Sequence, residues 1–226
     1  LGKTNGLMPG SEQIPGEHYR IGQRLRLLVK SVEDTVRGPK IILSRSDKNF
    51  VIELFKLEVP EVQAEAISIK AIAREAGSRT KIAVSTNQES LDPVGSCVGQ
   101  KGARIQAILA ELSQEKIDII LWDDEIKNLI INAMSPAEIE KIKIDKKTKK
   151  AIVFVPEDQL SLAIGKNGQN VRLASKISGY EIDIPKDHAK LKKAGKDIEP
   201  KETKELKKLA KKKESEKPVI ETSTEE

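Results

Sequence analysis

The fold of this chain can be inferred from the segment Ile164-Gly165-Lys166-Asn167-Gly168-Gln169-Asn170-Val171. A near copy of it lies upstream, Val98-Gly99-Gln100-Lys101-Gly102-Ala103-Arg104-Ile105. Both segments follow the pattern apolar-Gly-x-x-Gly-x-x-apolar, and helical spacing of apolar residues flanks each of them. One Gly-x-x-Gly pair is weak evidence because it occurs by chance in many turns, whereas two copies in matching surroundings predict a repeated domain.

Matching elements surround the two copies, whose first glycines are 66 residues apart. Around the first copy, the apolar patterns predict a helix at 49–59, strands at 67–74 and 80–85, a short helix from Asp92-Pro93, a long helix after Gly102 and a strand at 116–122. Around the second copy, they predict a helix at 125–134, strands at 137–144 and 151–155, a short helix from Asp158, a long helix up to Gly179 and a strand at 180–184. Each copy therefore has the order helix-strand-strand-helix-turn-helix-strand.

The repeat divides the chain into four predicted parts within an α+β fold. Residues 47–122 and 123–185 form the two repeated units. Residues 1–46 contain strand patterns at 24–32 and 41–44, with a turn at 35–40 between them, which are too few strands to close a barrel. Residues 186–226 are rich in Lys and Glu and poor in large apolar residues, so we predict a disordered tail. This tail is either a basic arm that raises RNA affinity or a plain solvated segment.

A Gly-x-x-Gly turn between two helices suits the backbone of a nucleic acid. Glycine adopts the positive φ angles of a four-residue turn, and its missing side chain lets a ligand backbone approach closely. The helix that follows directs its free N–H groups and positive dipole end at the turn, which favours phosphate. The candidate RNA-binding residues are therefore the glycines, the residues between them and the nearby basic side chains: Gly99, Gln100, Lys101, Gly102, Arg104, Gly165, Lys166, Asn167, Gly168 and Arg172.

For a single copy, a helix-turn-helix used only for packing is an equally good interpretation. Basic residues in both copies favour binding. Contacts at the turns explain affinity for an RNA strand but not a preference for a particular base sequence. Bases would be recognised in the groove between the long helix and the adjacent strand edge, where we expect mostly aliphatic side chains.

The composition is compatible with an anionic partner without requiring one. Among 226 residues, 40 Lys and Arg against 35 Asp and Glu give a net charge of +5, which also fits an ordinary solvated surface. Cys97 is the only cysteine and aligns with Ala163 of the second copy, so we predict that it packs in the core. No apolar run is long enough to span a membrane. We predict a cytoplasmic monomer without a metal or cofactor.

Few aromatic residues are available in the barrel segment for stacking on bases. Tyr19 and His18 are the only candidates, and Tyr19 either touches RNA or anchors a loop. We interpret Arg20, Arg24 and Arg26 as solvated charges on a strand face.

Several stretches carry a resemblance to a known family. They are Ser11-Glu12-Gln13-Ile14-Pro15-Gly16-Glu17, Ala73-Arg74-Glu75-Ala76-Gly77-Ser78-Arg79 and Leu162-Ala163-Ile164-Gly165-Lys166-Asn167-Gly168, with further matches at 37–39, 57–62, 80–84, 92–99 and 169–174. The order of elements in each unit resembles the type II KH domain. An S-one-type OB barrel followed by two such domains resembles the NusA family of bacterial transcription termination and antitermination factors.

The resemblance covers residues 1 to about 185 and implies a fold and a function. It implies a partial OB-type β-barrel followed by two tandem type II KH domains. It also implies binding of nascent single-stranded RNA and modulation of polymerase pausing, termination and antitermination. RNA polymerase and other elongation factors would be the partners. We expect the first barrel strands and the polymerase-binding domain of the family to be missing.

Two other classes of protein fit the sequence less well. An enzyme would need a nucleophile or a metal cluster, and neither His18 nor His188 has one nearby. The acidic run Asp123-Asp124-Glu125 suits the start of a helix, so we predict no enzymatic activity. The alternative function is a ribosome-assembly or structural RNA-binding protein with KH domains, although the barrel-KH-KH order argues against it.

Overall fold

The structure is a computed structural model that describes residues 5–36, 38–113 and 115–185. It confirms the predicted α+β class, because β-structure comes first and two units of helices and three-stranded sheets follow. The predicted tail, residues 186–226, lies outside the described residues.

Within residues 5–36 and 38–46, three strands precede the repeats: β1 (Gly6–Leu7), β2 (Leu28–Thr35) and β3 (Gly38–Ser44). The middle strand, β3, is parallel to β1 and antiparallel to β2, and this open sheet is consistent with a partial OB-type barrel. The prediction that β2 begins at residue 24 is wrong. Leu28 pairs with Ser44, the last residue of β3, so residues 24–27 have no partner strand in the part of the chain that the structure describes. The connecting turn is also shorter than predicted, because pairing continues to Thr35 opposite Gly38.

The first repeat is defined here by α1 (Lys48–Glu58), α2 (Pro60–Gln63), β4 (Ile67–Glu75), β5 (Arg79–Thr86), α3 (Pro93–Val98), α4 (Ala103–Glu111) and β6 (Lys116–Leu121). Asp47 caps α1 by accepting a hydrogen bond from the Asn49 amide at 2.8 Å, and Asp92 caps α3 in the same way. In the sheet, β5 lies between β4, with which it forms an antiparallel hairpin, and the parallel strand β6.

The second repeat is defined by α5 (Ile126–Met134), β7 (Lys141–Asp145), β8 (Lys150–Phe154), α6 (Leu160–Ile164), α7 (Gln169–Ser178) and β9 (Glu181–Asp183). The predicted first strand begins four residues too early, because Lys141 already pairs with Phe154, the last residue of β8. Asp158 does not cap α6. It lies within a 3-10 turn, Glu157–Gln159, that precedes the helix.

The sheets of the two repeats have equivalent strand pairing, although the β4–β5 pair has a register shift between Ile69 and Ala71 that the β7–β8 pair lacks. Lys81 of β5 pairs with Asp118 of β6, and Ile152 of β8 pairs with Asp183 of β9 in the same register. The strand orders β4-β5-β6 and β7-β8-β9 are also equivalent. The order of elements predicted from the sequence, and with it the type II KH fold, is therefore confirmed.

One apolar core runs from the first repeat into the second. The outer face of the first sheet contributes Ala73, Ala83 and Ile120 to the core that the helices and strands of the second repeat build. All three residues are buried. The second repeat therefore covers the sheet of the first, and burial of this apolar surface holds the two repeats in a fixed arrangement.

Buried charges join the barrel segment to the first repeat. The guanidinium of Arg45 is 1% exposed and contacts the Glu17 and Glu111 carboxylates at 2.7 Å each. It also lies 5.0 Å from the centroid of the Phe50 ring. Tyr19 supports this cluster, since its hydroxyl donates to Glu17 at 2.7 Å and accepts from the Ile14 amide at 3.0 Å. These contacts favour the loop-anchor interpretation of Tyr19.

Candidate nucleic-acid interface

The two Gly-x-x-Gly turns have the same backbone conformation. The first glycine has φ, ψ angles of 76°, 171° at Gly99 and 72°, 173° at Gly165. The third residue is left-handed in both turns, at 50°, 24° for Lys101 and 53°, 31° for Asn167. The last glycine is left-handed as well. Two sequences that share only the glycines therefore build one shape.

The two glycines of each turn have different roles. A Cβ atom at Gly165 would lie 2.9 Å from the backbone nitrogen of Asn170, and one at Gly99 would lie 2.7 Å from Cγ of Arg104. The first glycine thus allows the close approach of the following helix. A Cβ at Gly168 would meet nothing within 4 Å, and one at Gly102 would meet only a methyl group at 3.8 Å. The second glycine therefore faces open space that a ligand backbone can occupy.

Polar groups that can hold phosphate surround this open space. Gln100 and Lys101 in the first turn, and Lys166 and Asn167 in the second, are exposed. The helices α4 and α7 begin immediately after the turns, and no side chain caps either one. The first N–H of each helix donates to a carbonyl oxygen of the turn, from Ala103 to Gln100 and from Gln169 to Lys166. The positive dipole end of each helix still faces the turn and favours an anion there.

Arg104 lies beside the first turn but is engaged within the chain. Its Nη1 atom donates to the carboxylate of Glu61 at 2.9 Å and to the carbonyl oxygen of Ser96 at 2.7 Å. These contacts join α4 to α2 and to the end of α3. In the second repeat Asn170 occupies the corresponding position, and its amide donates to carbonyl oxygens in the same way.

Arg172 is also engaged within the chain, but with the other repeat. Its Nε and Nη2 atoms donate to Glu75, the last residue of β4, and its Nη1 atom donates to the carbonyl oxygen of Asn167 at 3.2 Å. The hydrogen bonds from Arg172 hold the pKa of Glu75 below its usual range. The structure thus brings the glycines and the residues between them to the surface, while both candidate arginines have acidic partners.

A groove runs along the second repeat between α7 and the edge of β9, where sequence reasoning placed base recognition. Ile164, Val171 and Ile182 supply aliphatic surface, as expected. Arg172, Ser175, Lys176, Glu181 and Asp183 also line the groove, so it carries more charge than the sequence led us to expect.

A cleft between the two repeats begins where the second Gly-x-x-Gly turn meets the first repeat. Its lining includes Ser78, Arg79 and Lys116 from the first repeat, and Ser161 and Lys166 from the second. Lys116 and Lys166 are exposed. This cleft is cationic and hydroxyl-bearing, which suits a phosphodiester. The sequence did not indicate Lys116, Arg79 and Glu75, because they are the end residues of strands and only the packing of one repeat on the other brings them near the second turn.

Cys97 offers no reactive group. It is fully buried, and this burial raises the pKa of its thiol to about 11. Among residues 5–36, 38–113 and 115–185, no group of three or more His, Cys, Asp or Glu side chains could hold a metal ion. No helix in that part of the chain is both long and apolar enough to cross a membrane.

Both repeats match models of known domains. Residues 45–122 match the NusA-like first KH domain, and residues 126–192 match the NusA-like second KH domain.

Similar proteins share one name, transcription termination/antitermination protein NusA. The chain is 50% identical to that of Thermus thermophilus over 182 residues, which cover 80% of this chain and 47% of the relative. It is 47% identical to that of Halalkalibacterium halodurans and 46% identical to that of Bacillus subtilis. Each of these matches covers 81% of this chain, and 48% and 50% of the respective relative. The chain spans about half the length of the curated relatives it matches.

Proposed function

The chain belongs to the NusA family, and we propose that it binds single-stranded RNA with both Gly-x-x-Gly turns. Residues 47–122 and 123–185 are the two binding units. The contacts are made by Gly99, Gln100, Lys101 and Gly102 in the first turn and by Gly165, Lys166, Asn167 and Gly168 in the second.

The observation that carries this proposal is the shared shape of the two turns. Each has a second glycine that faces open space, an exposed lysine between its glycines and an uncapped helix behind it. Close packing requires glycine at Gly99 and Gly165, and the left-handed backbone favours glycine at Gly102 and Gly168. Neither requirement explains the open space beside the second glycine, which a ligand backbone that lies against the turn would occupy.

One RNA strand contacts both turns in succession. The continuous apolar core fixes the two repeats relative to each other, so the turns form one surface. The cleft with Lys116 and Lys166 supplies charge where the first repeat meets the second turn. A fixed double site loses less entropy on binding than two independent sites.

The names of the relatives support the cellular role that we propose. The chain acts as a transcription factor in the bacterial cytoplasm, where it modulates pausing, termination and antitermination by RNA polymerase. Nascent RNA is its ligand, and polymerase and other elongation factors are its partners. It functions as a monomer without catalytic activity. A protein of ribosome assembly would instead co-purify with ribosomal subunits rather than with polymerase.

The test is a salt titration of RNA binding with charge-reversed turns. We expect Gln100-Lys101→Asp-Asp and Lys166-Asn167→Asp-Asp each to weaken binding to an unstructured RNA. Each should also reduce the slope of log K against log salt by about 0.7 for every phosphate that the variant no longer neutralises.

The matched control is Lys48-Asn49→Asp-Asp. It changes the same two residue types at the exposed start of another helix, α1. Melting curves verify that each variant is folded. Equal affinities for the control and the two turn variants would contradict the proposal.

A further inference from the structure

The carboxylate of Glu75 is the meeting point of three side-chain hydrogen bonds from α7. Arg172 donates from Nε to Oε1 at 2.5 Å and from Nη2 to Oε2 at 3.1 Å. Gln169 donates to Oε2 at 2.7 Å and also to the hydroxyl of Ser78 at 2.8 Å. Glu75 and Ser78 belong to the β4–β5 hairpin of the first repeat, whereas α7 begins directly after the second Gly-x-x-Gly turn. The β4–β5 hairpin of the first repeat therefore binds α7, the helix that follows the Gly-x-x-Gly turn of the second repeat.

Every nitrogen atom of the Arg172 guanidinium has an acceptor within the chain. Nε and Nη2 form a two-point contact with Glu75, and Nη1 donates to the carbonyl oxygen of Asn167. Asn167 is the left-handed residue of the turn itself. Because a guanidinium is a rigid planar fork, its contact with Glu75 also fixes the position of the Asn167 carbonyl.

We propose that Glu75, Gln169 and Arg172 form an inter-repeat latch, in which Arg172 is a positioning residue for the second turn rather than a contact to RNA phosphate. The first repeat thereby sets the RNA affinity of the second. This inference rests on the proposed RNA-binding function.

The first turn has a comparable arginine that stays within its own repeat. Arg104 reaches Glu61 of α2 and the carbonyl oxygen of Ser96 at the end of α3. The first turn is therefore braced by its own repeat, whereas the second turn depends on a neighbour. This asymmetry predicts that substitutions in the β4–β5 hairpin weaken RNA binding at the second turn, although the hairpin belongs to the first repeat.

The decisive variant is Glu75→Gln, because the two roles of Arg172 predict opposite signs. If Arg172 contacts phosphate, the carboxylate of Glu75 competes with phosphate for its guanidinium. Removing the negative charge of Glu75 then raises the RNA affinity and steepens the dependence of that affinity on salt. If Arg172 positions the turn, losing the latch weakens binding at least about fivefold without changing the salt slope. Glu33→Gln serves as the control of equal charge change, since Glu33 pairs with Lys40 on the exposed β2–β3 hairpin.

Two further variants separate the latch from a direct phosphate contact. Arg172→Lys keeps the positive charge but cannot bridge Glu75 and Asn167 as a planar fork. The latch predicts that this variant loses as much affinity as Arg172→Gln, while a phosphate contact predicts that it retains most of it. In the double variant Glu75→Gln/Arg172→Gln, the latch predicts no loss beyond that of Arg172→Gln alone.

All variants are measured in the full chain by salt titration, with melting curves recorded alongside. A higher or unchanged affinity for Glu75→Gln, retained affinity for Arg172→Lys, or additive losses would overturn the latch. Lys166-Asn167→Asp-Asp is included in the same series. If it also leaves binding unchanged, the RNA-binding proposal itself fails. If it weakens binding while Glu75→Gln does not, only the latch fails.

Discussion

The ammonium nitrogen of Lys81 lies 2.7 Å from the carbonyl oxygen of Ser135, fully buried where the two repeats meet. It also lies 3.1 Å from the carboxylate of Asp118 on the neighbouring strand. Burial lowers the pKa of Lys81, although the charge of Asp118 opposes this effect. The interface therefore contains a buried cation that requires both partners to remain in place.

We expect Lys81→Met to destabilise the chain by on the order of 3 kcal/mol, because it removes one partner of a buried ion pair and leaves the Ser135 carbonyl without its donor. Urea denaturation measures this change in the free energy of unfolding. Lys70→Met, at an exposed position on β4, is the matched control and should change it little. Equal stabilities of the two variants would show that Lys81 does not secure the interface.

The two glycines of the second turn should respond differently to alanine. Gly165 has angles that are essentially restricted to glycine, and an added Cβ would lie 2.9 Å from backbone, so we expect Gly165→Ala to cost more than about 2 kcal/mol. Gly168→Ala places its methyl group in open space, and only its left-handed backbone costs about 1 kcal/mol.

Gly168→Ala should nevertheless weaken RNA binding, because its methyl group occupies the space that we assign to the ligand backbone. Melting curves and RNA titrations on the same samples separate the two effects. Tight binding by a folded Gly168→Ala variant would argue against a ligand at that surface.

Cys97 should resist thiol reagents in the folded protein. Its burial and its pKa of about 11 leave almost no thiolate at neutral pH. Ellman's reagent should therefore react only after denaturation. Cys97→Ala should cost no more than about 1 kcal/mol, since Ala163 fills the corresponding position of the second repeat. Fast labelling of the native chain would disprove this description of the site.

Acid should destabilise the ion pairs of Asp118 within the first repeat and the ion pair of Glu75 between the repeats. Burial acts to raise the pKa of Asp118, but the hydrogen bond from Arg79 and the charge of Lys81 outweigh it, so the pKa is lowered. The pKa of Glu75 is lowered by Arg172. For carboxyl groups with a lowered folded-state pKa, stability is present above the unfolded value of about 4 and is lost as pH falls through the folded-state value.

The midpoint of thermal unfolding should therefore fall as pH is lowered below about 4, and less steeply in Asp118→Asn than in the natural chain. The variant should be less stable at pH 7, where the natural chain has its charged pair. Parallel acid profiles for the two proteins would mean that Asp118 does not contribute.

The repeated Gly-x-x-Gly segments allowed most of the fold to be predicted, because glycine restricts what a turn can do and apolar spacing identifies the elements around it. The errors occurred where a strand has no partner. The alternating patterns at 137–140 and 24–27 both look like strands, yet the neighbouring strands end at Phe154 and Ser44. Strand boundaries depend on the length of the partner, which local sequence does not report.

The candidate site was predicted only in part. Glycines and exposed lysines in the turns are local features, so their positions follow from the sequence. Arg104 and Arg172 were selected by charge and proximity along the chain, but their acidic partners, Glu61 and Glu75, are distant in sequence. The ion pairs that engage these arginines arise only when the chain folds.

Local sequence was sufficient to establish that this chain contains two copies of one helix-turn-helix unit, because backbone conformation at glycine and apolar periodicity are local properties. How the copies are joined became apparent only in the folded chain. The small side chains of Ala73 and Ala83 let the second repeat pack directly on the first sheet, and Glu75 and Lys81 then meet partners 97 and 54 residues away along the chain. Such contacts depend on which surfaces pack together in the folded chain, because a charge that is removed from water is costly unless a partner lies beside it.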